Sequence, residues 1–173
     1  MQQSFYEESV SCYQQVLKST AGILKKGADY AEQSGRLLSE IVDFRLHETM
    51  LPFSFQVISV CHHSLGAVRG MREGVFTPPP SRPGINYGGL SDLVDEAIEG
   101  LSTETQQSME ELTKQPMIFR LGETEIPFTT DNFLATFSKP NFYFHATTTY
   151  SILRTLGTPL GKRDFLGEMS IGH

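Results

Sequence analysis

Apolar residues recur every three or four positions along most of this chain, which is the spacing of an amphipathic α-helix. Ser4 and Glu7 have the capping-box spacing that is typical of a helix start. Thr49 and Ser91 are the expected N-caps of two later helices. The pattern as a whole predicts four long helical segments, at residues 4–33, 50–72, 92–101 and about 130–153.

Shorter elements are predicted in the connections: a helix at 36–44, a continuation of the third helix at 104–112, and an irregular tail from residue 157. Two β-type runs, 117–121 and 124–128, flank Gly122 and predict a two-stranded hairpin, with Pro127 at an edge. The expected fold is therefore all-α: one domain, residues 1–173, built as an antiparallel four-helix bundle with a small β-hairpin before the last helix.

Composition and charge restrict the classes of partner. The chain has 14 basic and 20 acidic residues and a net charge of −6, which disfavours nucleic acid and anionic membrane surfaces. No apolar stretch approaches the ~20 residues that cross a bilayer, and no leader pattern opens the chain, so no membrane association is expected. Its two cysteines, Cys12 and Cys61, are expected to be packing thiols in a reducing, cytoplasmic compartment.

Thr49, Gln56 and His63 are spaced seven residues apart, which places them on one stripe of the second predicted helix. Apolar neighbours suggest that this stripe faces the interior, where polar groups need partners. Two interpretations stay open. The glutamine and histidine are either hydrogen-bonded core residues or part of a small polar pocket.

His145 lies in an aromatic stretch of the last predicted helix, with Asn141 four residues before it and Thr149 four residues after it. Such a histidine is a buried hydrogen-bonded residue, a metal ligand or a general base, since its ordinary pKa near 6.5 suits proton transfer. A zinc-type site needs three or four ligands, and His63 and His145 supply two. Motifs of acyl-transfer hydrolases, P-loops and dinucleotide-binding folds are absent from the sequence.

Several runs resemble a family of unknown function from bacteria and fungi, within the DinB/YfiT-like helical-bundle superfamily. The most specific run is Gly-Lys-Arg-Asp-Phe-Leu-Gly at 161–167. The others are Pro-Asn-Phe-Tyr-Phe-His at 140–145 with the positions up to 154, Tyr6 with Ser9, and the stretch from Arg45 through His63.

The resemblance implies an antiparallel four-helix bundle, often a homodimer, and in many members a three-histidine metal site at one end of the bundle. Some members are thiol-dependent transferases or hydrolases. His63 matches the ligand of the second helix, and His145 matches the first of a histidine pair on the last helix. Thr149 stands at the second histidine of that pair, and Thr49 stands where this family often has an acidic residue.

The main hypothesis is a small-molecule enzyme with a pocket in the bundle core and cofactor-free isomerase, cyclase or dehydratase chemistry of the natural-product type. That reaction class is an analogy drawn from the resemblance. His63 and His145 are the expected acid–base pair. One alternative is a transferase or hydrolase in which these histidines hold a single divalent ion, Zn or Ni; another is a non-catalytic small-molecule-binding protein. The expected substrate contacts are Tyr6, Thr49, Gln56, Asn141 and Thr149.

Overall fold

Helices make up most of the described residues, 3–169 and 171, of this computed structural model. The α-helices are α1 (Cys12–Ser34), α2 (Leu38–Asp43), α3 (Phe53–Cys61), α4 (Ala67–Glu73), α5 (Tyr87–Ser102), α6 (Gln106–Glu110), α7 (Thr130–Phe133), α8 (Lys139–Thr155) and α9 (Lys162–Leu166). Turns of π-helix precede α1, join α3 to α4, and precede α8, at Glu7–Ser11, His62–Gly66 and Leu134–Ser138. The prediction of a mostly helical chain is confirmed.

The first helical segment begins and ends as its sequence predicts. The backbone N–H of Ser4 donates to the Glu7 carboxylate at 2.8 Å, and the N–H of Glu7 donates to Ser4 Oγ at 3.2 Å. Both bonds satisfy donors that a helix start leaves free. Gly35 ends α1 with a φ of 70°, in the left-handed region where glycine has no steric penalty.

Two predicted helix starts are wrong. The second long helix begins at Phe53, after Pro52, and Thr49 lies in an exposed turn where its hydroxyl is 2.9 Å from His47 Nδ1. The N–H of Phe53 donates to Phe44 O at 2.8 Å, which fixes the chain before the helix. The third helix begins at Tyr87 and not at residue 92, because Asn86 accepts the N–H of Gly89 and caps it; Ser91 lies inside the helix.

The predicted hairpin is confirmed, but it belongs to a larger sheet. Strands β2 (Pro116–Leu121) and β3 (Thr124–Thr129) pair antiparallel, and β1 (Val75–Phe76) pairs with β2 in parallel, in the order β1-β2-β3. The prediction of only two strands is therefore wrong, because this sheet has a third, short strand. Gly70 permits this strand to approach α4, because a Cβ there would stand 2.9 Å from the Phe76 ring. Pro127 lies in the edge strand β3, as predicted.

The core lies between the four longest helical stretches. Tyr13 of α1 and Phe142 of α8 are fully buried and meet edge to face, with ring centroids 4.8 Å apart. Phe53 of α3 stacks on Tyr87 of α5 at 5.8 Å. Within the described residues, no helix combines the length and the apolar character that crossing a membrane requires.

Residues 162–166 form a short docked helix, α9, where the sequence pattern predicts an irregular tail. Gln15 Nε2 of α1 donates to Leu166 O at 2.8 Å, and Lys26 Nζ pairs with Asp164 at 2.6 Å. Asp164 also accepts the N–H of Gly161 at 2.7 Å and so caps α9. We call residues 161–167 the C-terminal clasp, because their polar bonds join α9 to α1.

Candidate active site

Two histidines and one glutamine meet where α3 and the π-turn after it pack on α8. Gln56 Oε1 is 2.8 Å from His145 Nδ1, and the Ser138 hydroxyl donates to His63 O at 2.9 Å. Residue numbers rise from Gln56 to His63 while those of their partners fall from His145 to Ser138, so the two segments run in opposite directions here. The predicted stripe of Gln56 and His63 therefore faces His145.

The partners of Gln56 fix the proton of the neutral His145 ring. Gln56 Nε2 donates to Leu51 O at 2.9 Å, and a backbone carbonyl only accepts, so this end of the side chain is the amide NH₂. The other end is the oxygen, and it accepts from His145 Nδ1–H. The neutral ring then has its lone pair on Nε2, for which the described residues provide no hydrogen-bond donor.

His63 is walled by aromatic rings and is only 5% exposed. Its ring lies 5.9 Å from that of His145 with 16° between their planes. Phe76 of β1 and Phe137 of the π-turn before α8 lie beside it, at centroid distances of 5.3 and 5.8 Å. His63 Nδ1 is buried and lacks a hydrogen-bond partner within residues 3–169 and 171. Of the six groups predicted to form a pocket with His63, the structure thus brings Gln56 and His145 together with it.

Burial keeps both rings neutral. Desolvation, with smaller repulsion from His62 and His145, lowers the pKa of His63 to about 3. Burial alone lowers the pKa of His145 to about 4. Near neutral pH each imidazole therefore offers one N–H donor and one lone pair and carries no charge.

A buried chain of hydroxyls holds the π-turn that carries His63. The single Ser138 hydroxyl proton goes to His63 O, so the Tyr13 hydroxyl, 2.8 Å from Ser138 Oγ, is the donor between those two. Ser138 and Tyr13 are both fully buried. Burial raises the pKa of Tyr13, so the phenol keeps its proton. Isolated π-turns in α-helices are frequent at functional sites.

Ser138→Ala is expected to lower the free energy of unfolding by about 1–3 kcal/mol, since it removes a hydrogen bond to the His63 carbonyl and leaves the buried Tyr13 hydroxyl without its acceptor. Urea denaturation measures this. Thr136→Ala is the matched control, because its hydroxyl bonds Asn132 O from an exposed position of the same turn; it is expected to change the free energy by no more than about 0.5 kcal/mol. Equal effects of the two changes would contradict the role of Ser138.

The remaining predicted contacts are differently placed. Thr149 is buried, and its hydroxyl donates to His145 O at 2.9 Å. Asn141 is half-buried one turn before His145 and donates to Phe137 O at 2.7 Å. Thr49 is in its exposed turn, and Tyr6 is half-buried against the core. No hydrogen bond joins any of these four side chains to an imidazole nitrogen of His63 or His145 within the described part of the chain.

Sequence reasoning missed Ser138, Tyr13 and the aromatic wall. Ser138 lies seven residues before His145, the same spacing that relates Gln56 to His63, and this spacing is the signal that could have found it. A proline within a helical pattern, such as Pro140 here, usually kinks the helix or makes it start again, which hides this spacing. The structure has the proline in the first turn of α8, so the stripe continues into the preceding π-turn.

A three-histidine metal site, which the resemblance implies, does not fit the donor groups present. Among residues 3–169 and 171, no group of three or more His, Cys, Asp and Glu side chains is arranged to hold an ion. The hydroxyl of Thr149, at the position of the implied third ligand, is engaged with the backbone of His145. Zinc sites generally use three or four such donors.

The fold has a solved counterpart. The crystal structure of a DinB family member protein from Shewanella denitrificans, at 1.83 Å resolution, matches 97% of this chain and 94% of its own, with a TM-score of 0.82 and 22% sequence identity. The chain therefore has a DinB-like fold. Residues 5–166 match the family described as "Domain of unknown function (DUF1993)", and the chain belongs to that family. No curated protein matches it at a significant level. The predicted resemblance is confirmed.

Proposed function

We propose that this protein is a small-molecule enzyme in which His145 and His63 perform a metal-free proton transfer of the isomerase, cyclase or dehydratase type. The observation that carries the proposal is the 2.8 Å bond from His145 Nδ1 to Gln56, next to the parallel ring of His63. This bond leaves His145 Nε2 free to accept a proton.

In the proposed step, His145 Nε2 takes a proton from a C–H bond next to a carbonyl, and the electron pair moves onto the carbonyl oxygen. The neutral His63 ring donates a hydrogen bond to that oxygen. His145 then returns the proton at a second carbon, or to a leaving hydroxyl. An imidazole with a pKa of about 4 is a weak base, but the negative charge that develops on the substrate stabilises the imidazolium.

The walls favour a largely apolar substrate. Phe55 and Phe144 contact the His145 ring edge to face, at centroid distances of 5.8 and 5.2 Å. Phe144 is more than half exposed, at 56%, so one rim of the site is an open apolar surface. Gln56 orients His145, the proposed base, through their hydrogen bond. That the substrate contacts Tyr6, Thr49, Asn141 and Thr149 remains a prediction.

The test is a screen in D₂O for deuterium uptake by pooled small carbonyl compounds, read by mass spectrometry. The wild-type protein is expected to exchange at least one compound, and His63→Gln/His145→Gln to exchange none. Ligand binding without exchange would indicate a binding protein. One equivalent of zinc or nickel per chain by elemental mass spectrometry, lost in the double variant, would overturn the metal-free proposal.

We also propose that α1, α3 with α4, α5 and α8 form an antiparallel four-helix bundle. We further propose that the protein is cytoplasmic and forms a homodimer. Light scattering coupled to size-exclusion chromatography measures the oligomeric state, and a monomer at micromolar concentration would contradict the dimer.

A further inference from the structure

A cavity lies beside the Phe76 ring, which also neighbours His63. Its volume is about 300 Å³, at the lower end of the range for small-molecule sites. It lies between α3, α4 and α5, under the loop that follows β1, and neither His63 nor His145 lines it. Its apolar lining includes Ile58, Leu65, Leu93 and Ala97.

His62 and Phe76 form one wall of this cavity, and specific contacts hold them there. Their rings stack at a centroid distance of 4.4 Å, and His62 Nε2 donates to Thr77 O at 2.6 Å. Gly66 permits the imidazole to lie across the helix, because a Cβ at that position would stand 2.9 Å from His62 Nδ1. Burial lowers the pKa of His62, so this wall is uncharged near neutral pH.

The charges around the cavity single out Arg82. Arg69 and Glu96 pair with each other across the rim, with an N–O distance of 3.6 Å. Arg82 also lines the cavity, and its guanidinium makes no hydrogen bond or ion pair with the described residues, although its backbone carbonyl accepts the N–H of Ile85. Glu73 also lines it, but it is twelve residues beyond Cys61, which corresponds to about 18 Å along a helix.

Cys61, Arg82 and Glu96 line the same cavity, and Glu96 is paired with Arg69. Burial raises the pKa of the Cys61 thiol to about 12, with a further upward effect from Glu96 and an opposing effect from Arg82, so the thiol keeps its proton near neutral pH. An apolar floor, an uncharged aromatic wall and the unpaired guanidinium of Arg82 therefore occur together in this cavity.

We propose that this cavity binds a small carboxylate with an apolar body, whose carboxylate pairs with the Arg82 guanidinium. Guanidinium and carboxylate groups form strong, two-pronged hydrogen bonds. The apolar body replaces water over the aliphatic floor and the Phe76 edge. The site is separate from the proton-transfer site, so its failure and the failure of the proposed function are distinguishable.

The test is an NMR titration of the isotope-labelled full chain with phenylacetate, which has about ten non-hydrogen atoms and suits a cavity of this size. Saturable shifts are expected at the amides of Gly66, Gly70 and Ala97. Arg82→Gln is expected to weaken binding about 5- to 10-fold, because solvent at this exposed side chain reduces the effect of losing a charge-assisted bond. Arg36→Gln, on an exposed connection outside the cavity, is the matched control and is expected to leave the affinity unchanged.

Two further probes test the charge preference. The neutral phenylacetamide and the cationic phenethylamine are expected to bind at least 5-fold more weakly than phenylacetate. Equal or tighter binding of either probe, or affinity for phenylacetate that Arg82→Gln leaves unchanged, overturns the proposal. Shifts confined to the surroundings of His145 also overturn it, because they would assign the carboxylate to the histidine pair.

Discussion

Replacing His145 by alanine is expected to lower the turnover of the proposed proton transfer by about 10²–10⁴-fold, the usual contribution of a general base. The same loss is expected for His63→Ala, which removes the ring that stabilises the oxyanion. The measurement is kcat on the compound identified by deuterium uptake. His47→Ala is the matched control, because this histidine lies in an exposed turn and bonds Thr49 there.

The two histidine variants need a check of folding, since His63 is buried. Far-ultraviolet circular dichroism and the urea midpoint serve for that. Turnover within 3-fold of wild type in a folded His145→Ala variant would contradict its role as the base. A loss of the same size in His47→Ala would show that the assay reports on something other than the His63–His145 pair.

Lowering the pH from 7.5 to 5 is expected to reduce the free energy of unfolding by about 2 kcal/mol through His63 and by about 1–2 kcal/mol through the less buried His145, by proton linkage. In the unfolded chain both histidines take up protons below their ordinary pKa of 6.5. In the folded chain they stay neutral until the pH reaches about 4 for His145 and about 3 for His63. The unfolded state therefore binds more protons in this window, and stability rises with pH.

Chemical denaturation at pH 7.5, 6 and 5 measures this dependence. His63→Gln/His145→Gln is expected to be less stable at pH 7.5 but to lose the part of the pH dependence that comes from these two rings. His62, whose pKa burial also lowers, keeps its own part, and carboxylates titrate mainly below this window. Thr147→Ala, an exposed and uncharged change on α8, is the control and is expected to keep the wild-type slope. An unchanged slope in the double histidine variant would refute the assignment of two neutral buried rings.

The sequence predicts half of the site for a clear reason. Gln56 and His63 are seven residues apart on a single helix, and helical geometry alone places them on one stripe. Their meeting with His145 depends on how α3 and α8 pack, and spacing within one helix carries no information on that register. Recognition of His145 as a candidate came from its aromatic surroundings in sequence, whereas its bond to Gln56 emerges only in three dimensions.

The missed elements have equally specific causes. Strand β1 has two residues, too few to show an alternating pattern, and it forms because Gly70 leaves room beside α4. Thr49 satisfies the residue preference for an N-cap, but the chain around Pro52 is held by the bond from Phe53 to Phe44, which joins positions nine apart. In both cases, contacts with other parts of the chain decide the local structure, and the residue preferences of the segment itself do not.

The C-terminal clasp changes how the sequences of this family are best compared. Residues 161–167 are the run that resembles the family most specifically. Their polar bonds hold α9 against α1 through Gln15 and Lys26. Its last glycine, Gly167, has a φ of 62° and sits so close to the Ser19 hydroxyl that a side chain has no room. A sequence search with this run therefore finds chains that fasten their last helix in the same way. To compare their chemistry, one must examine the residues that align with Gln56, His63 and His145.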